Sequence, residues 1–104
     1  MRLVWDSNAW EDYLWWQTQD RRVLKRINLL IQDVVRNGNE GMGKPEALKH
    51  DFAGYWSRRI TDEHRLVYKV LEDEVRIAAA GVVPSSVELR WRPDDHQAAF
   101  TFSS

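Results

Sequence analysis

The stretch Tyr55-Trp56-Ser57-Arg58-Arg59-Ile60-Thr61-Asp62-Glu63-His64-Arg65-Leu66-Val67-Tyr68-Lys69-Val70 alternates between two unlike faces on either side of a polar turn. Tyr55, Ser57 and Arg59 fall on one side of a strand, and Trp56, Arg58 and Ile60 on the other. Beyond Thr61-Asp62-Glu63, Arg65, Val67 and Lys69 alternate with Leu66, Tyr68 and Val70. Glu72-Asp73 opens a second turn, after which Val75, Ile77 and Ala79 alternate with Arg76, Ala78 and Ala80. Consecutive strands joined by short polar turns make an antiparallel meander.

A sheet with an apolar face must be covered, and the residues before it supply the cover. Leu3-Val4-Trp5 reads as a short first strand whose place in the sheet the pattern leaves open. Asp6 or Ser7 can cap the helix that follows, Asn8 and Glu11 have capping-box spacing, and Trp10, Tyr13 and Leu14 share a helical face. Asp20 can cap a longer helix, in which Leu24, Ile27, Leu30, Ile31, Val34 and Val35 recur at three- and four-residue intervals. The glycine-rich run Asn37 to Lys44, closed by Pro45, ends that helix, and Glu46 to His50 can form a short helical turn. The expected fold is α+β, with an N-terminal helical hairpin packed on an antiparallel sheet.

Composition fits one domain. The chain has 104 residues, 43% hydrophobic and 30% charged, too few for a second sizeable core. There is no cysteine, which excludes disulfides and thiolate chemistry. No roughly 20-residue apolar run or secretory leader is present, so the expected location is cytoplasmic. The net charge of -1 hides an asymmetry: residues 21 to 69 hold 11 Lys or Arg against 6 Asp or Glu. That local field suits a phosphate-rich partner.

The polar residues that could carry chemistry lie around the meander. Arg59 and Arg65 flank a turn, which brings them side by side, and Lys49 and His50 approach from the preceding segment with Glu46 one helical turn from His50. Cations beside a carboxylate can hold non-bridging phosphate oxygens while the carboxylate takes the proton of a ribose 2'-hydroxyl. That chemistry cleaves RNA by metal-independent transesterification and spares DNA, which lacks the internal nucleophile. Each residue also has a plainer reading: Arg58 and Arg59 as solvated strand residues paired with Asp62 or Glu63, Glu46 as an ordinary acid, the tryptophans as packing. His50 and His64 lack HExxH spacing and cysteine companions, and His96 is isolated, so no metal site is expected. Gly41-Met42-Gly43-Lys44 lacks Walker A spacing.

These features resemble the YoeB/Txe group of RelE-superfamily bacterial toxins. The resemblance runs through Leu3-Val4-Trp5, Trp10-x-x-Tyr13-x-x-Trp16, Lys25-x-Ile27-Asn28, Gly41-x-Gly43-Lys44-Pro45-Glu46-x-Leu48-Lys49-His50, and Gly54-x-Trp56-Ser57-Arg58-Arg59-Ile60-Thr61-x-Glu63-His64-Arg65-Leu66-Val67-Tyr68. It implies a RelE-like microbial RNase fold over residues 1–80 and an endoribonuclease that cuts messenger RNA on the ribosome. It further implies Glu46 as general base, Arg65 as transition-state contact, and Lys44, Lys49, His50, Arg58 and Arg59 as RNA or phosphate contacts, with no cofactor. The implied partners are a YefM-like antitoxin, the ribosome with its messenger, operator DNA bound through the antitoxin complex, and a second copy as a homodimer.

Residues 81–104 depart from the family. Its members end in Arg-Tyr-His-Tyr, the histidine serving as general acid, where this chain reads Gly81-Val82-Val83-Pro84. Neither Val83 nor Pro84 can protonate a leaving oxygen. Codons for Tyr-His read one base early can encode Val-Pro, consistent with a reading-frame change; a natural extension is the competing account. The expectation is therefore a toxin-type ribonuclease of impaired activity or, alternatively, an inactive module that binds antitoxin or ribosome. Val87 and Leu89 alternate with Glu88 and Arg90, as an added edge strand would.

Overall fold

The computed structural model describes residues 1–49 and 52–82, together with the backbone of 99–103; at residue 82, too, the description is of backbone alone. Strand β1 (Arg2–Asp6) leads into helices α1 (Ser7–Gln19) and α2 (Arg21–Asn37). There follow β2 (Glu46–Ala47), β3 (Trp56–Arg59), β4 (His64–Val70), β5 (Glu74–Val82) and β6 (Ala99–Ser103). The sheet order is β2-β3-β4-β5-β1-β6.

The expected meander forms, with Arg59 opposite Arg65 and Leu66 opposite Ala80. The first strand, whose place the pattern leaves open, joins it as a parallel strand. β1 runs parallel to β5, Leu3 opposite Val75, so the sheet is mixed. β1 is an inner strand, and Val4, Trp5 and Asp6 are all buried, as suits a parallel strand covered on both faces. Three consecutive buried residues erase the alternation from which a register could have been read.

Among the described residues the larger apolar cluster lies between helices and sheet. Ile27, Leu30, Ile31 and Val34 of α2 pack with Ile60, Leu66, Tyr68, Val75, Ile77 and Ala80, which confirms the periodic stripe of that helix. In α1 the buried residues are Ala9 and Trp16, with Trp10 and Tyr13 partly buried against the core, whereas Leu14 is exposed. Trp16 holds that rotation, since its indole Nε1 donates to the carbonyl of Ala80 at 2.8 Å.

The helix caps divide. Asp20 caps α2 as expected, accepting from the amides of Arg22 at 2.9 Å and Val23 at 3.4 Å. Asp6 precedes α1 but makes no side-chain cap; its Oδ1 accepts from Arg76 Nε at 2.8 Å instead. Nor does Asn8 cap, since its amide donates to the Ala78 carbonyl. The helical turn expected from Glu46 is replaced by β2, in which Glu46 lies opposite Ser57 and Ala47 opposite Trp56. Pro45 fixes its own φ and keeps the residue before it out of the right-handed helical region, so no helix runs into this segment.

β5 continues past residue 80, with Gly81 and Val82 pairing with Arg65 and His64. β6 adds an antiparallel edge to β1. The edge strand expected at Val87 to Arg90, and Val83 and Pro84, lie outside the described residues. Among the described residues no helix is long and apolar enough to cross a membrane.

Candidate active site

The face of the sheet turned away from the helices carries the site. On β3, Ser57 and Arg59 are two residues apart and share that face. Register then sets Glu46 of β2 against Ser57, and Arg65 of β4 against Arg59. Arg65 Nη1 donates to Glu46 Oε2 at 3.2 Å and to Ser57 Oγ at 3.3 Å. Lys44, Pro45, Glu46, Arg59 and Arg65 line an open cavity of about 210 Å³. Glu46 is 68% exposed at its side chain and Arg65 32%, so a ligand can reach both. The cavity therefore offers one carboxylate as a proton acceptor and three cations as anion contacts.

Four of the expected site residues meet here: Lys44, Glu46, Arg59 and Arg65. Lys49 is exposed beyond β2 and is absent from the cavity wall. His50 lies outside the described residues. Arg58 is a correction. It was expected among the phosphate contacts, but its side chain is 0% exposed and faces the helices. Its Nε donates to Tyr68 Oη at 3.0 Å, its Nη1 to Asp33 and to the Met42 carbonyl at 3.0 Å, and its Nη2 to the carbonyls of Gly38 at 2.7 Å and Glu40 at 2.8 Å. An arginine cannot hold five internal acceptors and also bind RNA.

The electrostatics around Arg58 follow. The bond from its guanidinium, above all, holds the Asp33 carboxyl below its ordinary value, against the opposing effect of burial. Burial pushes the Tyr68 hydroxyl up, with Arg58 acting against it. Asp33 and Tyr68 were not anticipated as partners. Alternation alone puts Arg58 on the side of Trp56 and Ile60, the core side, and that signal was available. Nothing in the periodicity of α2 marks Asp33. Ser57, also unanticipated, shares the parity of Arg59 and could have been read the same way.

Gly43 closes the segment that carries Lys44. Its φ is +83°, and a Cβ there would stand 2.8 Å from Leu30 Cδ2 and 3.2 Å from Arg58 Cβ. The Leu30 and Arg58 side chains take the place a side chain at 43 would need, and the Gly43 carbonyl accepts from the Arg59 amide at 2.7 Å.

The family model for the YoeB-like toxin of bacterial type II toxin-antitoxin systems matches residues 5–82. The chain belongs to this family. Toxin YoeB of Escherichia coli K12 is 57% identical over 79 residues, which are 76% of this chain and 94% of that one. A solved YoeB/ParE toxin from Agrobacterium tumefaciens superposes with a TM-score of 0.78 at 45% identity, covering 81% of this chain and all of its own. The Staphylococcus aureus YoeB, solved both in a heterotetrameric complex with YefM and as a dimer, gives a TM-score of 0.75 at 43% identity over 79% of this chain and 95% of its own. The family match spans the helical hairpin, the glycine-rich loop and the cavity, and stops at Val82, the last residue of β5. The rest of this YoeB-family chain lies beyond the match.

Proposed function

We propose that this YoeB-family chain is an endoribonuclease that cleaves messenger RNA on the ribosome by metal-independent transesterification. The observation that carries this reading is the contact of Glu46 with Arg65 at the mouth of a cavity lined also by Lys44 and Arg59. Glu46 takes the proton of a ribose 2'-hydroxyl, and the freed oxygen attacks the adjacent phosphorus. Arg65 meets the charge that builds on the non-bridging oxygens, with Arg59 and Lys44 as phosphate contacts and exposed Lys49 further along the RNA. The bond to the 5'-oxygen breaks, leaving a 2',3'-cyclic phosphate and a 5'-hydroxyl. That leaving oxygen needs a proton, which neither Val83 nor Pro84 can give, so solvent supplies it and turnover is reduced.

Residues 1–80 constitute the toxin domain in this reading and residues 81–104 an atypical tail, acting in the cytoplasm. A YefM-like antitoxin is the neutralising partner, supported by the heterotetrameric S. aureus complex, and the S. aureus dimer supports self-association. Operator DNA binds through the antitoxin complex.

Programmed ribosomes incubated with the purified protein, with messenger ends mapped and Glu46→Gln as control, test the reading. New ends that vanish in the control are expected; no ends above the control would reject the enzyme. One observation favours a second reading: Gly81-Val82-Val83-Pro84 stands where the family carries its acid. An inactive module would bind antitoxin tightly and produce no ends. A general nucleic-acid binder would instead bind free RNA with steep salt dependence.

A further inference from the structure

The two neighbouring arginines of β3 point to opposite faces of the sheet, and the buried one controls what the open face displays. Arg58 spends all five of its N–H donors inside the protein: on Tyr68, on Asp33, and on the carbonyls of Gly38, Glu40 and Met42. Three of those acceptors are alternate carbonyls of one loop. Asp33 seizes the same loop from its other polar group, its Oδ2 accepting the Met42 amide at 3.0 Å, while its Oδ1 is steadied by the Asn37 side-chain amide at 2.7 Å. Only Gly43, Lys44 and Pro45 separate this anchorage from Glu46.

The connection is stiff. The Gly43 carbonyl is held by the Arg59 amide, Lys44 has a left-handed φ of +52°, and Pro45 has a fixed φ. A left-handed lysine is strained and persists only where its surroundings enforce it. Glu46, by contrast, is exposed and held outwardly by a single ion pair, of a kind too weak to set a geometry. Among the described residues its backbone is paired only through the two-residue ladder of β2 with β3, so the chain behind it shares in setting its position.

We propose that Asp33 and Arg58 form a positioning unit that holds the 38–43 loop in the conformation delivering Lys44 and Glu46 to the cavity. The unit touches no RNA; it acts through the backbone, and its catalytic consequence rests on the ribonuclease reading of Glu46. Lysine at position 58 keeps the charge opposite Asp33 but has three donors on a flexible stem, and cannot reproduce the planar fork that gathers the three carbonyls.

The test has two arms. In the first, Arg58→Lys and Asp33→Asn are compared with the unaltered chain on programmed ribosomes. The expected result is a kcat lower by roughly 10- to 100-fold with KM within about threefold, and no further loss when Arg58→Lys is added to Glu46→Gln. A rise in KM at unchanged kcat, or losses that multiply in the double variant, would overturn the proposal. Asp33→Asn carries this arm if Arg58→Lys does not fold, as judged by circular dichroism. The second arm needs no catalysis. The chain has no cysteine, so Glu46→Cys with Ser57→Cys introduces a lone cross-strand thiol pair at opposed positions. Its oxidation to a disulfide is expected to slow at least about tenfold when Asp33→Asn or Arg58→Lys is added; an unchanged rate refutes the positioning role. If the unaltered chain cuts no messenger, the ribonuclease reading fails and the thiol pair still decides the positioning proposal.

Discussion

Arg59 and Arg65 stand directly opposite one another across the β3–β4 pair, two like charges at one register position on the face that carries Glu46. Directly opposed like charges destabilise a sheet. The arrangement is costly as architecture; in the proposed ribonuclease reading it serves as an anion clamp, since both residues line the same cavity.

Arg59→Thr is therefore expected to stabilise the fold by roughly 0.2 to 1 kcal/mol while weakening messenger cleavage. Urea unfolding beside mapped cleavage on ribosomes checks both halves. A variant that loses stability would mean that Arg59 is held by contacts favourable enough to outweigh the repulsion.

Glu46→Gln separates catalysis from folding in the opposite way. The ion pair with Arg65 is substantially exposed, so its loss should change stability by less than about 1 kcal/mol. Cleavage should fall by about a hundredfold or more, the usual contribution of a general base. A large drop in melting temperature would reassign Glu46 to structure.

Asp33→Asn leaves the buried Arg58 guanidinium without its counter-charge, and the expected cost near neutral pH is about 3 kcal/mol. The Asp33 carboxyl titrates below its ordinary 3.8 in the folded protein. Its stabilisation is thus complete above that value and drains away as pH falls through the lower folded value. Denaturant midpoints of the two proteins should differ most above the ordinary value and converge in stronger acid. A gap independent of pH would sink this account.

Asp20→Ala removes two amide contacts at the start of α2 and should cost about 1 kcal/mol, read as a lower urea midpoint with an unchanged slope. Cleavage per folded molecule should not change, since the contacts of Asp20 lie at the start of α2 and involve none of the cavity-lining residues.

The parts legible in the sequence were those governed by short-range periodicity. Ile27, Leu30, Ile31 and Val34 mark their helix face by spacing alone, and β3 and β4 declare themselves by alternation. So does β5, until a bulge opposite Val67 and Tyr68 puts Ala80 rather than Ala79 in the core with Val75 and Ile77. Arg59 and Arg65 could be paired in advance because a three-residue turn leaves little freedom in register. Where the reading failed, a distant partner had intervened. Leu14 fits the helical stripe, yet α1 is rotated by the bond from Trp16 to Ala80, 64 positions along the chain. Glu46 was expected on a helical turn, and it lies in a strand because Trp56 and Ser57 offer it a ladder.

The sequence by itself determined the hairpin, the meander and the residue types of the site, because each depends on neighbours within one or two turns of chain. The family resemblance added their roles, and also marked the break at Gly81-Val82-Val83-Pro84. Only the tertiary structure decided that β1 runs parallel beside β5, and that of two adjacent arginines one serves the cavity and the other the interior. Arg58 and Arg59 are chemically identical, so composition cannot tell them apart. The pleat sends one toward Asp33 and Tyr68, in surroundings where every donor must find an acceptor, and leaves the other at the open cavity with Arg65.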